Sequence, residues 1–162
     1  MKYLLRLLAV VSLLAAGVAS AADVTVTPAS VLPGANAKTT LGTAGATITA
    51  GQFLYFDSTA QQWKLADANA SETTAAVSGL AASGGAAGQQ IIVVLYDDDL
   101  TVGGTLSTSA PVYVLSGTAG GIAPVADVTT GWYARPVLVA KSATKAVFDP
   151  RGLRSALTAT AP

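Results

Sequence analysis

The chain has no cysteine and no histidine. The first absence excludes disulfides, thiolate nucleophiles and sulfur-ligated metals, and the second removes the commonest general base and the commonest metal ligand. Ordinary Ser-His-Asp and Cys-His catalytic sets cannot be assembled from this chain alone, so a non-enzymatic role without a cofactor is expected. Charge is scarce too. Only 11% of the 162 residues are charged and the formal net charge is +0, against the usual quarter charged. Binding a phosphate backbone needs concentrated positive potential, so no nucleic-acid partner is expected. Aromatic residues make up 6% while hydrophobic residues make up 51%. The core must therefore be built largely of Ala, Val and Leu, on a scale that suits one compact domain.

The longest apolar run stands at the start. Lys2 and Arg6 precede a nearly continuous apolar stretch over residues 7–17, and Ala19-Ser20-Ala21 offers small side chains where a signal peptidase reads. The pattern is that of a hydrophobic leader helix, cleaved between Ala21 and Ala22. The run over residues 7–22 is 16 residues long, short of the roughly 20 a membrane-spanning helix needs. No stable membrane association is expected once it is removed. Removal leaves seven basic against nine acidic residues, a net charge of −2.

Beyond the leader the chain reads as short strands divided by turns. Residues 23–27 alternate polar and β-branched side chains and stop at Pro28; Pro33-Gly34 marks a turn, because Pro presets one torsion and Gly accepts the next. Further strands are expected over residues 46–49, 52–57, 63–65, 77–81 and 90–96, then 105–106, 111–115, 122–125, 133–140 and 145–148. Residues 90–96 (QIIVVLY) form the strongest β run, which Asp97-Asp98-Asp99 is expected to end. The fold class that follows is all-β, a small β-barrel or β-sandwich of short antiparallel strands. The division expected is a leader over 1–21, an extended N-terminal arm over 22–45, a β domain over 46–150 and a flexible C-terminal tail over 151–162.

One pattern occurs twice. Residues 47–58 (TITAGQFLYFDS) align with residues 105–116 (TLSTSAPVYVLS) at a shift of 58, which sets Tyr55 with Tyr113 and Ser58 with Ser116. After the turn the shift is 60, and Leu65-Ala66-Asp67 falls beside Val125-Ala126-Asp127. Two related hairpin halves would give this alignment, and so would convergent patterning of small-residue strands.

Each candidate site has a plainer reading beside it. Asp97, Asp98 and Asp99 could offer oxygen ligands to a hard cation such as calcium, but the spacing of a calcium loop is missing. Consecutive strand residues also point to opposite faces. A solvated turn that protects the preceding apolar strand from stray pairing is the favoured reading. Asp57, Asp67, Glu72 and Asp127 could supply the carboxylate pair of a glycosidase, yet each lies beside turn residues where an acid caps backbone N–H groups. The glycine-rich stretches 83–88 and 116–121 lack the Lys-Ser/Thr of a phosphate loop and read as hairpin turns. Trp63 and Trp132 could stack on sugars or bases, but with so few aromatics they read as core plugs or interface anchors. No catalytic, cofactor-binding or metal-ligating residue is assigned.

The segment from Ala22 to Ile48, the stretches GQFLYFDS and WKLADANA, and above all YVLSGTAGGIAPVAD over residues 113–127, resemble the head decoration or capsid cement proteins of tailed phages. The similarity runs from about Ala22 to Phe148. It implies an all-β, non-enzymatic virion protein that works as a homo-oligomer, a trimer favoured, on the major capsid protein or other virion proteins. Such proteins normally start near Ala22-Asp23 and carry no leader. The leader instead fits a secreted or surface-exposed bacterial β module, periplasmic or extracellular, that binds carbohydrate or a cell-surface partner. Under the decoration reading, residues 23–40 are expected to reach along the lattice as an arm, with the remaining domain folding without it.

Overall fold

A computed structural model describes residues 23–153; the leader and all but the first three residues of the C-terminal tail lie outside the described residues. The molecule is all-β, an antiparallel sheet curled into a half-barrel. Its strands are β1 (Lys38–Thr43), β2 (Phe53–Asp57), β3 (Gln62–Leu65), β4 (Gly79–Ala81), β5 (Gln90–Thr101), β6 (Val112–Leu115), β7 (Ile122–Pro124), β8 (Pro136–Ala140) and β9 (Lys145–Phe148). They run in the order β3-β2-β4-β5-β9-β8-β6-β7, with β1 also paired to β5. Among the described residues no helix is long and apolar enough to cross a membrane.

The 12-residue β5 joins the two halves. Its first part pairs with β1 and β4, its last part with β9. Alternation along the strands feeds two hydrophobic clusters from opposite faces of the same sheet. Phe53, Leu80 and Val94 enter the larger cluster with Leu100, Leu138 and Phe148. Their chain neighbours Leu54, Ala81 and Val93 enter a smaller one with Ala44, Ile48 and Trp63. Strands covered on both faces carry continuous apolar text rather than alternation, and β5 reads that way for this reason. Phe53 and Phe148 meet edge to face, ring centroids 5.8 Å apart, at the heart of the larger cluster.

The smaller cluster is closed by the chain folding back on itself. Ala44 bridges Trp63, and the Gly45 N–H donates to the Trp63 carbonyl at 2.8 Å, so β1 returns against β3. Trp63 lies against Gly42 so closely that a Cβ there would meet the indole Nε1 and Cδ1. Gly42→Ala is therefore expected to cost about 1–3 kcal/mol through overpacking. Chemical denaturation checks it: an unchanged midpoint would show that the indole has room to move.

The two halves share an order, β3-β2-β4-β5 and β7-β6-β8-β9. The twelve-residue pattern ends in β2 and β6, each of which opens a hairpin, and pairing sets Tyr55 opposite Lys64 and Tyr113 opposite Pro124, as the shifts of 58 and 60 require. The ladders differ in phase. Ala66 N–H donates to the Phe53 carbonyl around the pair Leu54/Leu65, whereas Ser116 N–H donates to the Gly121 carbonyl around Leu115/Ile122. The repetition is thus one of strand order and pairing, not of hydrogen-bond phase.

Several strand boundaries differ from expectation. The run Asp97-Asp98-Asp99 does not end β5, which continues to Thr101. It is no solvated turn either, since Asp97 is fully buried. Residues 23–27 lie outside the named strands, although Val24 N–H donates to the Ile122 carbonyl and Thr27 N–H to the Gly103 carbonyl. Residues 46–49 contribute only an isolated bridge from Ile48 to Gly85, and residues 105–106 form no strand. The segment over residues 23–45 lies along the body for its whole length: Val24 and Val26 pack on the larger cluster, Val31 is buried, Leu32 bridges Thr101, and β1 pairs with β5.

Candidate functional site

The acidic run is held by the fold. Asp97 Oδ2 accepts the Gly34 N–H at 2.7 Å and Oδ1 accepts the Asp99 N–H at 2.9 Å. Asp99 pairs with Lys145 and, at 3.2 Å, with Lys141, whose Nζ also donates to the Asp98 carbonyl. The Lys145 hydrogen bond, then that from Lys141, holds the Asp99 carboxyl below its ordinary value of 3.8. Asp97 and Asp99 face different partners, the Asp98 carboxylate makes no hydrogen bond among the described residues, and no group of three acids there could hold a metal ion.

Of the other candidate acids Asp57, Asp67 and Glu72 are occupied, whereas Asp127 caps no backbone N–H among the described residues and leaves Oδ2 without a partner. Asp57 Oδ1 accepts the Thr59 and Ala60 N–H groups at 2.9 and 3.0 Å, capping the β2–β3 turn, and Oδ2 pairs with Lys64 at 2.7 Å. The Lys64 hydrogen bond, followed by that from Ala60, lowers the Asp57 carboxyl, and the same contact raises Lys64. Asp67 caps the Asn69 N–H. Glu72, exposed, pairs with Arg135 at 2.9 Å rather than capping backbone. Trp63 is buried in the smaller cluster, and Trp132 packs on the larger one beside Gly117. In the glycine-rich turn over residues 116–121, Gly120 takes a φ of +76 and donates its N–H to the Ala66 carbonyl at 2.7 Å. Only glycine adopts that torsion without strain.

An apolar groove lies along β6 and β8. Tyr113 and Leu115 enter the larger cluster, so alternation turns Val112 and Val114 to the opposite face. There they join Pro111, Val125, Val128 and Pro136 in an open groove of 620 Å³. Val125 is 50% exposed. On β2 the equivalent outward face, at Leu54, is covered by Trp63, Ala44 and Ile48; on β6 Val114 is buried and Val112 half-buried at the floor of the groove. Two side-chain atoms in the segment framing the groove, Asp127 Oδ2 and Arg135 Nε, are buried with no hydrogen-bond partner among the described residues.

Reading the sequence for chemistry passes over this face, since it carries no reactive group. Its signal is the text PVYVL, apolar at every position of β6. A strand of that kind requires cover on both faces. Scans against protein-family models, curated proteins and solved structures match nothing to this chain.

Proposed function

We propose that this chain is a non-enzymatic structural protein of a tailed-phage virion, a decoration or cement protein that docks on the head lattice and acts as an oligomer, a trimer favoured. The observation that carries the reading is the uncharged groove along β6 and β8. It offers an open apolar surface, whereas Asp57, Asp67, Glu72 and Asp99 are tied up as backbone caps and ion pairs. The most distinctive part of the resemblance to decoration proteins, residues 113–127, builds β6, β7 and the groove's Val125 rim. A body that cements a lattice needs rigidity and interface-ready apolar surface and no reactive group.

The leader favours a second reading, a secreted β module for carbohydrate or a cell-surface partner. Gradient fractionation of a phage lysate, with intact-mass measurement of the protein, separates the two. Co-sedimentation with heads is expected; recovery only as a free, leader-cleaved protein in the medium would reject the virion reading.

A further inference from the structure

We propose that Asn69 is an acceptor for an N-linked oligosaccharide, transferred from a lipid diphosphate by a membrane-bound oligosaccharyltransferase. The inference goes beyond the virion reading and does not rest on it. It asks only that the chain meet such an enzyme, which export through the leader would bring about.

The motif spans five residues. Asp67-Ala68-Asn69-Ala70-Ser71 supplies an asparagine, then a residue other than proline, then a hydroxyl, which is the pattern such a transferase reads. Transferases of bacteria further require an acid two positions ahead of the asparagine, and Asp67 stands there. The chain holds only two asparagines, and the other, Asn36, has Lys38 where the hydroxyl would be. Asn36 therefore serves as an internal control.

The fold presents this motif to solvent. Asn69 and Ala70 are exposed, on the irregular segment over residues 66–78 that joins β3 to β4. Such loops are where an enzyme can take hold of a folded chain, since no strand ladder has to be opened. Ala68 anchors the segment: its N–H donates to the Ser116 carbonyl at 3.0 Å and its carbonyl accepts the Tyr133 N–H at 2.7 Å. Past that anchor the backbone and hydroxyl contacts are local. Asp67 Oδ1 accepts the Asn69 N–H at 2.9 Å, and Ser71 Oγ meets Thr74 Oγ1 at 3.1 Å.

The chemistry balances without an oxidant or reductant. Nδ2 of Asn69 bonds to the anomeric carbon of the first sugar as the bond from that carbon to the diphosphate oxygen breaks; the lipid diphosphate leaves with the electron pair, and the amide gives up one proton. Nδ2 carries two hydrogens, and one of them donates to the Gly117 carbonyl at 3.1 Å. The other is the one lost, so the Gly117 contact survives the modification. No side chain stands between the amide and the Trp132 ring: a Cβ at Gly117 would come within 2.9 Å of Asn69 Nδ2 and 2.6 Å of Trp132 Cζ2. The first sugar thus leaves the protein beside the half-buried indole of Trp132, an aromatic body of the kind that packs against partly apolar groups.

Intact-mass measurement and peptide mapping test this on the full chain, made with its own leader in a bacterium that carries an oligosaccharyltransferase and its lipid-linked oligosaccharide. Leader-cleaved protein bearing one glycan on Asn69 is expected. Asn69→Gln, Ser71→Ala and Asp67→Ala are each expected to lower occupancy at least tenfold, with circular dichroism unchanged, while Ser71→Thr and Asp67→Glu keep it. Wild type recovered leader-cleaved and bare, or Asn69→Gln modified as wild type is, would overturn the inference. A retained leader rejects the secreted reading alone, and the purified chain incubated with the same enzyme and lipid-linked oligosaccharide then decides: a glycan on Asn69 upholds the acceptor, and a bare chain overturns it. Co-sedimentation with heads bears on the virion role and not on this site.

Discussion

A chain lacking residues 23–45 is expected not to fold, showing neither a cooperative thermal transition nor a native near-ultraviolet spectrum. The truncation removes β1, and with it a six-residue pairing along β5. It also removes Val31 from the larger cluster and Ala44 from the smaller one. Leu54, Trp63, Ile91 and Val93 lose part of their cover, and Val24 and Val26 leave the larger cluster with Val31. The loss of these three Val side chains together with the β1 cover is about 6–12 kcal/mol at roughly 1.5–3 kcal/mol per fully buried side chain. That is the scale of a whole domain's stability, about 5–15 kcal/mol. The extended arm drawn from the sequence is thus an integral part of the body, and the expectation of an autonomous domain over residues 46–150 is replaced by this one. A truncated chain melting cooperatively near the wild-type temperature would reinstate the free arm.

Asp97→Ala is expected to cost about 3–5 kcal/mol, because it strands two backbone donors in the interior at about 1–3 kcal/mol each and leaves a small void. The Gly34 and Asp99 N–H groups both point at this carboxylate, and Asp97 is fully buried. Space is short as well: a Cβ at Gly34 would come within 2.8 Å of Asp97 Oδ1. Asp97→Asn keeps one strong acceptor and is expected to lose less. Asp98→Ala, whose side chain makes no hydrogen bond among the described residues, is expected to change stability by less than about 0.5 kcal/mol. Urea denaturation of the three variants gives the ranking. Equal, small losses at Asp97 and Asp98 would mean that the run is a solvated turn after all.

The sequence made the strands with clear apolar text legible: β2, β5, β6, β8 and β9 lie where the runs of Val, Leu, Ile and aromatics predict. It concealed β1. The text KTTLGT carries a single large apolar residue, Leu41, and that one is 67% exposed. This strand exists because β5 offers it an edge, which is tertiary information that no local periodicity contains. Asp97 was hidden for the same reason, since one of its two donors, Gly34, lies 63 residues away in the chain. A carboxylate run in isolation reads as solvated; only the fold brings in the N–H groups that allow one of its members inside. The caps at Asp57 and Asp67 were readable because their hydrogen bonds are local, closing within two or three residues. The groove was half visible. The uniformly apolar β6 announces a strand that needs two covered faces, but that the groove forms beside β6 rather than beside β2 depends on the path of residues 39–48 around the other half of the molecule.

Reconstitution tests the central claim, that this chain works by docking a stiff β body, most directly. Phage heads prepared without the protein are mixed with increasing amounts of the purified chain, and uptake is measured by sedimentation. Saturable uptake at a fixed ratio to the major capsid protein is predicted, with a rise in the temperature at which the heads rupture. Heads that take up none at any concentration would contradict the account.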